Sequence, residues 1–417
     1  MKIQDKNKYY SFLKGYVDFM FKMAYRRVEY CGKEKIPQDG AIIYAPNHTN
    51  TLMDALAVLS IDRRAKVFVA RADIFKKPVI LKILTFLKML PINRKRDGAD
   101  SLAKNEEINN IVIDVLRDKV PFCILPEGTH RPKHSLMPLQ KGIFRIALLA
   151  NDTFGETMPV YIIPVGIEYG HFFRYRSSLL LQIGDPIDVT KFVKENSQLD
   201  LPQQVYELRN VLSEQMKKVI LHIADDENYE ATLQLAQLKN PKNKSLINRF
   251  TATKENINNL KNSLQSTPLE TQNLFDKANE FFQKRHSLGI GMNSVLQKNI
   301  GLSLIWKVFL LLLGFPYFVF SAVVTSPLTI FSAWLCSKFK DNAFHNSVRF
   351  LASLVLLPLL LLLFGIIVFA VFSWKCGLIF ILLFLPSFFF FHEYLRLIRI
   401  FISDIKWLKH KEIVVSD

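Results

Sequence analysis

Short apolar runs punctuate the first half of this chain, and long uncharged runs fill its last quarter. Val28 to Cys31, Ala41-Ile42-Ile43-Tyr44-Ala45, Val67-Phe68-Val69-Ala70, Val120 to Leu125, Val160 to Ile167 and Leu179 to Ile183 are bounded by Pro, Gly or polar residues, the pattern of buried strands. Helices are predicted between them, one beginning near Thr51, one over Ile111 to Arg117 and one from Lys141 onward. Strands alternating with helices predict an α/β domain over residues 28–225. Ahead of it, residues 1–27 carry an amphipathic helix. Phe12, Leu13, Tyr16, Val17, Phe19, Met20, Met23 and Ala24 fall broadly at helical spacing, with Lys14, Lys22, Arg26 and Arg27 interleaved. Such a helix suits either a membrane interface or a packed position on its own domain.

Residues 226–300 are polar and helical in pattern, broken at Asn240-Pro241 and at Thr267-Pro268, and read as a connector without visible chemistry. Val308 to Cys336 then holds 29 residues without a charge, more than the ~20 that one membrane span needs. Phe350 to Phe372 and Gly377 to Phe391 are two further uncharged runs. Arg396, Arg399, Lys406, Lys409 and Lys411 follow the last one and read as cytoplasmic. The basic N-terminal domain reads the same way, which requires an even number of crossings. Pro316 and Pro327 then predict that Val308 to Cys336 folds as a hairpin or re-entrant pair; two spans plus an in-plane segment meet the same condition. Residues 301–395 are thus expected to be membrane-embedded helical hairpins, and 396–417 a basic tail.

Charge narrows the partners. The 417 residues carry a formal net charge of +17, which fits nucleic acid, an anionic membrane surface or phosphorylated substrates. The apolar last quarter favours phospholipid and phosphate, so no nucleic acid is expected. Between Ile61 and Arg96, eleven Lys/Arg stand against two Asp and alternate with apolar residues, a composition suited to lipid headgroups. Cys31, Cys123, Cys336 and Cys376 show no paired or CxxC spacing, which fits a reducing compartment and gives no zinc knuckle. Lys2, Asp5, Lys6 and Lys8 do not read as a cleavable leader.

The candidate chemistry centres on Asn47-His48-Thr49-Asn50-Thr51-Leu52-Met53-Asp54. An imidazole can take a proton from a hydroxyl near neutral pH, and a carboxylate behind it fixes the tautomer and stabilises the imidazolium. Residues six apart in one helix are rotated by about 240° and share no face. To meet Asp54, His48 must therefore precede the helix, with the loop folding it back and with Thr49 or Asn50 as cap; a cap histidine and a surface aspartate are the alternative these residues leave open. Further along, Pro91-Ile92-Asn93-Arg94 offers a guanidinium for a phosphate. Pro126-Glu127-Gly128-Thr129-His130-Arg131 closes a strand with a tight turn whose glycine lets a ligand approach the backbone.

With these blocks in order, the N-terminal domain resembles the PlsC-like glycerolipid acyltransferases, over roughly residues 25 to 225. The resemblance rests on Asn47-His48 with Asp54, Ile92 with Arg94, Pro126-Glu127-Gly128-Thr129, and Ile163-Pro164-Val165-Gly166. With its C-terminal hydrophobic region, the whole chain looks like the membrane-anchored glycerol-phosphate branch. Three departures stand out. Five residues rather than four separate His48 from Asp54; Leu90 stands where a glycine is usual; His130 stands where an arginine is usual, with Arg131 next.

The resemblance implies a mixed sheet flanked by helices and a C-terminal α-helical membrane region. It implies acyl transfer from acyl-CoA or acyl-ACP to a glycerol-phosphate-type acceptor (glycerol 3-phosphate, dihydroxyacetone phosphate or 1-acylglycerol 3-phosphate), with another lysolipid as the alternative. His48 and Asp54 would be catalytic; Arg94, Glu127, Gly128, Thr129, His130 and Arg131 would bind the acceptor, with Glu127 bonding a glycerol hydroxyl. Backbone N–H groups near Thr49 would stabilise the oxyanion. Ile74 to Leu90 would line an acyl tunnel, touch the membrane or pack in the core. No cofactor and no metal are implied. The expected setting is the cytoplasmic face of a bacterial inner membrane or of the endoplasmic reticulum.

Two rival readings follow from the same residues. Glu127, His130 and His134 fall at i, i+3 and i+7, so one helical face with His48 would make a metal hydrolase; Pro126, Gly128 and Pro132 oppose that helix. A non-catalytic membrane scaffold on the same fold has no need of His48, Asp54, Arg94 and Glu127 together.

Overall fold

The computed structural model describes residues 2–93, 101–238 and 245–410. The chain divides into two compact units, Met1–His222 and Ile223–Asp417.

In the first unit, α1 (Lys8–Ala24) is capped by Asn7, whose side chain accepts from the N–H groups of Tyr9 and Tyr10. Eight strands follow: β1 (Arg27–Cys31), β2 (Ala41–Pro46), β3 (Val67–Arg71), β4 (Met89–Ile92), β5 (Phe122–Cys123), β6 (Val160–Tyr169), β7 (Ser178–Ile183) and β8 (Ile187–Asp188). They form one mixed sheet in the order β1-β7-β6-β2-β5-β3-β4, with β8 on β6. β6, β2, β5, β3 and β4 run parallel, so their C-terminal ends share one edge; β7 runs antiparallel to β6. The interleaved helices are α2 (Leu52–Leu59), α3 (Pro78–Phe86), α4 (Ser101–Arg117), α5 (Gly142–Phe154), α6 (Val189–Glu195) and α7 (Leu201–Val219).

Alternation along β2 divides its neighbours. Ala41, Ile43 and Ala45 join Val160 and Ile162 in a core completed by Phe144 and Ala147 of α5 and Leu208 and Leu212 of α7. Ile42 and Tyr44 alternate with them, and Met53, Ala57 and Val58 of α2 are buried as well. Gly166 shows why the Pro164-Val165-Gly166 block needs its glycine. A Cβ there would lie 1.8 Å from the Val219 carbonyl oxygen, so only glycine lets the end of α7 lie on β6.

The second unit begins with α8 (Tyr229–Leu238), α9 (Leu246–Ser266), α10 (Pro268–Ser287) and α11 (Met292–Val295). Arg285, buried on α10, donates to the Ile290 carbonyl and to Gln234 Oε1. Three helices long and apolar enough to cross a membrane follow, α12 (Ile300–Cys336), α13 (Ala343–Val371) and α14 (Trp374–Lys409). The expected break of Val308 to Cys336 does not occur: α12 runs on through both Pro316 and Pro327. In a long apolar helix the carbonyls a proline frees can be taken up by neighbouring hydroxyls and small local adjustments. α14 likewise continues to Lys409, past position 396, where the sequence reading begins a separate tail; Lys411 lies outside the described residues.

α12 and α14 are antiparallel, as their bonded pairs show. Lys307 is paired with the buried Asp404, the Tyr394 hydroxyl donates to the Leu311 carbonyl, and the Tyr317 hydroxyl donates to the Leu383 carbonyl. Ser403 Oγ accepts from the Gly291 N–H and Lys406 donates to the Leu288 carbonyl, so the turn between α10 and α11 meets the end of α14.

Candidate active site

The loop between β2 and α2 is folded around one carboxylate. Asp54 lies in the first turn of α2 and is fully buried. Its Oδ2 accepts from His48 Nδ1 at 2.8 Å, from the Thr49 N–H at 2.8 Å and from the Asn50 N–H at 2.7 Å. Its Oδ1 accepts from the Tyr169 hydroxyl at 2.7 Å. His48 does precede the helix, and the loop brings it back onto Asp54 despite the extra residue between them. A carboxylate is only an acceptor, so Nδ1 carries the proton and Nε2 is the basic nitrogen.

The capping arrangement differs from the expected one. Thr51 is the N-cap and its side chain makes no capping hydrogen bond, while the Thr49 and Asn50 N–H groups turn to Asp54. Those two donors are therefore spent on the carboxylate and do not form the expected oxyanion hole. Thr51 has φ 47°, a region a β-branched residue enters at a cost of about 1–3 kcal/mol. The four hydrogen bonds converging on Asp54 hold the loop in that conformation.

Two further side chains fix the loop from outside. Asn47 makes a pair of hydrogen bonds to the backbone of Ile167 on β6, Oδ1 accepting from its N–H at 2.7 Å and Nδ2 donating to its carbonyl at 3.1 Å. Glu127, after β5, is 4% exposed. Its Oε1 accepts from the His48 N–H at 2.8 Å and its Oε2 from the Met137 N–H at 3.1 Å. The resemblance implies a glycerol hydroxyl as a partner for Glu127; in the structure each of its oxygens accepts from one backbone N–H. Burial pushes its carboxyl up to about 7, against the lowering effect of its hydrogen bonds to His48 and Met137.

The other predicted residues fall around this core. Gly128 has φ +68° and closes the turn after Glu127, donating to the Leu125 carbonyl; it and Thr129 are exposed. The His130 ring lies edge-on to His48 with centroids 5.6 Å apart. Arg131 donates its backbone N–H to the His48 carbonyl and its Nη2 to the Ser135 carbonyl. Arg94 lies outside the described residues. Its neighbour Asn93 follows β4, at the same strand edge as His48 and Glu127; its backbone N–H donates to Asn105 Oδ1 and its carbonyl accepts from Asn105 Nδ2, both at 2.9 Å.

The stretch 127–134 that a metal site would need as a helix is turn and irregular chain. The histidines of that constellation point to different partners: His134 Nδ1 lies 3.1 Å from Glu168, and His48 Nδ1, on the β2–α2 loop, faces Asp54. Among the described residues no group of three His, Cys, Asp or Glu is arranged to hold a metal ion. Sequence reasoning missed Tyr169, which stands 115 positions from Asp54, and missed the backbone role of Asn47; neither is marked by local spacing.

A family model described as Acyltransferase matches residues 27–168. Two curated Saccharomyces cerevisiae proteins are similar in sequence. Glycerol-3-phosphate O-acyltransferase 2 is 37% identical over 87 residues, 20% of this chain and 11% of the relative. Glycerol-3-phosphate O-acyltransferase 1 is 30% identical over 106 residues, 25% of this chain and 14% of the relative. The matched part thus spans only a small fraction of those relatives' length. Among solved structures, the 1-acyl-sn-glycerophosphate acyltransferase PlsC from Thermotoga maritima matches with a TM-score of 0.37 and 21% identity, over 50% of this chain and 78% of that one.

Proposed function

We propose that this chain, which carries a PlsC-like domain of the acyltransferase family over residues 27–168, moves a fatty acyl group from an acyl thioester to a hydroxyl of a glycerol-phosphate-type acceptor at a membrane. One observation carries the reading: a histidine whose Nδ1 is held at 2.8 Å by a fully buried carboxylate. His48 Nε2 takes the proton of the acceptor hydroxyl as its oxygen attacks the thioester carbonyl. Asp54 stabilises the imidazolium that forms. The tetrahedral intermediate collapses, the C–S bond breaks, and the imidazolium returns its proton to the leaving thiolate. No serine or cysteine nucleophile is needed, since the thioester is already activated.

Arg94 is assigned the acceptor phosphate, with His130 and Arg131 beside it. Gly128 and Thr129, exposed in the turn after Glu127, border the acceptor. Glu127 is assigned to holding the His48 backbone. The acceptor is glycerol 3-phosphate, dihydroxyacetone phosphate or 1-acylglycerol 3-phosphate, and the donor acyl-CoA or acyl-ACP. The membrane setting is supported by α12, α13 and α14, and the site is placed on the cytoplasmic side, where both thioesters are found. In the first unit α3 supports the same setting: none of its residues is buried, Val79, Leu81, Ile83 and Phe86 are exposed, and Lys76, Lys77 and Lys82 surround them.

The test is an assay of the purified, detergent-solubilised protein against the three acceptors with both donors. Removing the base by His48→Ala is expected to lower turnover about 10²- to 10⁴-fold in a protein that still folds and inserts; full turnover by that variant overturns the mechanism. Arg94→Ala is expected to raise the acceptor KM about tenfold or more with the donor KM unchanged. A raised donor KM instead reassigns Arg94 to the thioester's carrier.

A further inference from the structure

We propose that Tyr169 is a positioning residue for the reaction, holding Asp54 against His48 and setting how strongly that carboxylate pulls on the imidazole. This deepens the acyl-transfer reading and rests on it. Tyr169 ends β6, is 2% exposed, and its hydroxyl meets Asp54 Oδ1 at 2.7 Å. The two carboxylate oxygens are unequally loaded. Oδ2 takes His48 and two backbone N–H groups, while the described bond to Oδ1 is the phenol's. Without the phenol, Oδ1 becomes a charged acceptor buried with no replacement donor from the loop.

The phenol is built to stay a donor. Burial, and next the charge of Asp54, push it well above the ordinary tyrosine range, so it remains protonated at any working pH. Its ring is braced by Tyr25 and Phe172, with centroids 6.0 and 6.3 Å away. β6 is itself anchored to the loop by the Asn47–Ile167 pair two residues earlier. The strand therefore grips the loop at two points, one on its backbone and one on its carboxylate.

The direction of the effect follows from charge sharing. A hydrogen bond to Oδ1 draws electron density from the carboxylate and makes Oδ2 a weaker partner for a protonated imidazole. Removing it strengthens that partnership, so the base stays protonated, and idle, to higher pH. The other titratable or charged groups facing the pair are Glu127 at the His48 N–H, the His130 ring, Arg131 at the His48 carbonyl, and the Tyr25 and Cys123 side chains near Asp54. A Tyr169→Phe change also removes the phenol's interaction with the Tyr25 hydroxyl but leaves the bonds of Glu127 and Arg131 and the His130 ring contact in place, so Glu127 contributes equally before and after it.

The experiment compares wild type, Tyr169→Phe and His48→Ala as full-length protein in detergent, with one acceptor and one donor. For Tyr169→Phe the expected result is a kcat about tenfold lower, an acceptor KM little changed, and an acid limb of kcat/KM moved to higher pH. Should turnover be too low to profile, proton NMR of the His48 Nδ1–H decides, since a stronger bond to Asp54 moves that resonance downfield. An acid limb and an Nδ1–H resonance that both stay at their wild-type positions overturn the proposal, whatever happens to kcat. If His48→Ala turns over normally, the acyl-transfer reading fails instead; if it is inactive while Tyr169→Phe behaves as wild type, only the role of Tyr169 falls.

Discussion

Asp54 and Glu127 are two buried carboxylates that hold the same histidine in different ways. Asp54, at the start of α2, grips the ring and gathers four donors. Glu127, after β5, grips the backbone N–H and gathers two. Four donors, one of them able to become a cation, converge on Asp54. Two neutral donors do not offset burial, and the Glu127 carboxyl is pushed up to about 7. One carboxylate is therefore suited to work during turnover, and the other to hold the frame in which it works.

Asp54→Asn tests that division most severely. The amide presents an N–H₂ or a weaker carbonyl to Nδ1 and favours the wrong tautomer, so kcat is expected to fall about 10³-fold or more; a loss under tenfold would make Asp54 a frame residue like Glu127. The pH dependence of folding tests the other side. Between its ordinary 4.5 and about 7, folded Glu127 keeps a proton that the unfolded chain releases. Stability should thus fall as pH rises through that window, by roughly 3 kcal/mol. Glu127→Gln should flatten the slope, read as melting temperatures at pH 5 and pH 8; an unchanged slope would assign the pH dependence elsewhere. Asn47→Ala leaves the buried Ile167 N–H and carbonyl unpaired at that point and should cost about 1–3 kcal/mol, with kcat falling only as far as the loop shifts. An Asn47→Ala variant as inactive as Asp54→Asn would erase the distinction between frame and chemistry.

Much of this was legible in the sequence, and the reasons divide cleanly. The strands at Ala41, Val67, Val160 and Leu179 announced themselves because a buried strand must be apolar. That His48 must precede the helix to meet Asp54 followed from helix rotation, a local rule that needs no tertiary information; that the two form a pair came from the resemblance. β4, β8 and the shortness of β5 escaped, because pairing to a neighbour rather than composition makes those residues strand. Tyr169 and the backbone roles of Asn47 and Glu127 depend on residues far apart in the chain that the parallel strand edge brings together. The prolines of α12 misled for a different reason: the rule that proline breaks helices assumes water, and three long apolar helices need not obey it.

The apolar surface of α3 has a practical corollary. Trimming the chain after His222 to obtain a water-soluble enzyme should disappoint. Val79, Leu81, Ile83 and Phe86 would stay uncovered, and the shortened protein should still demand detergent to remain monodisperse.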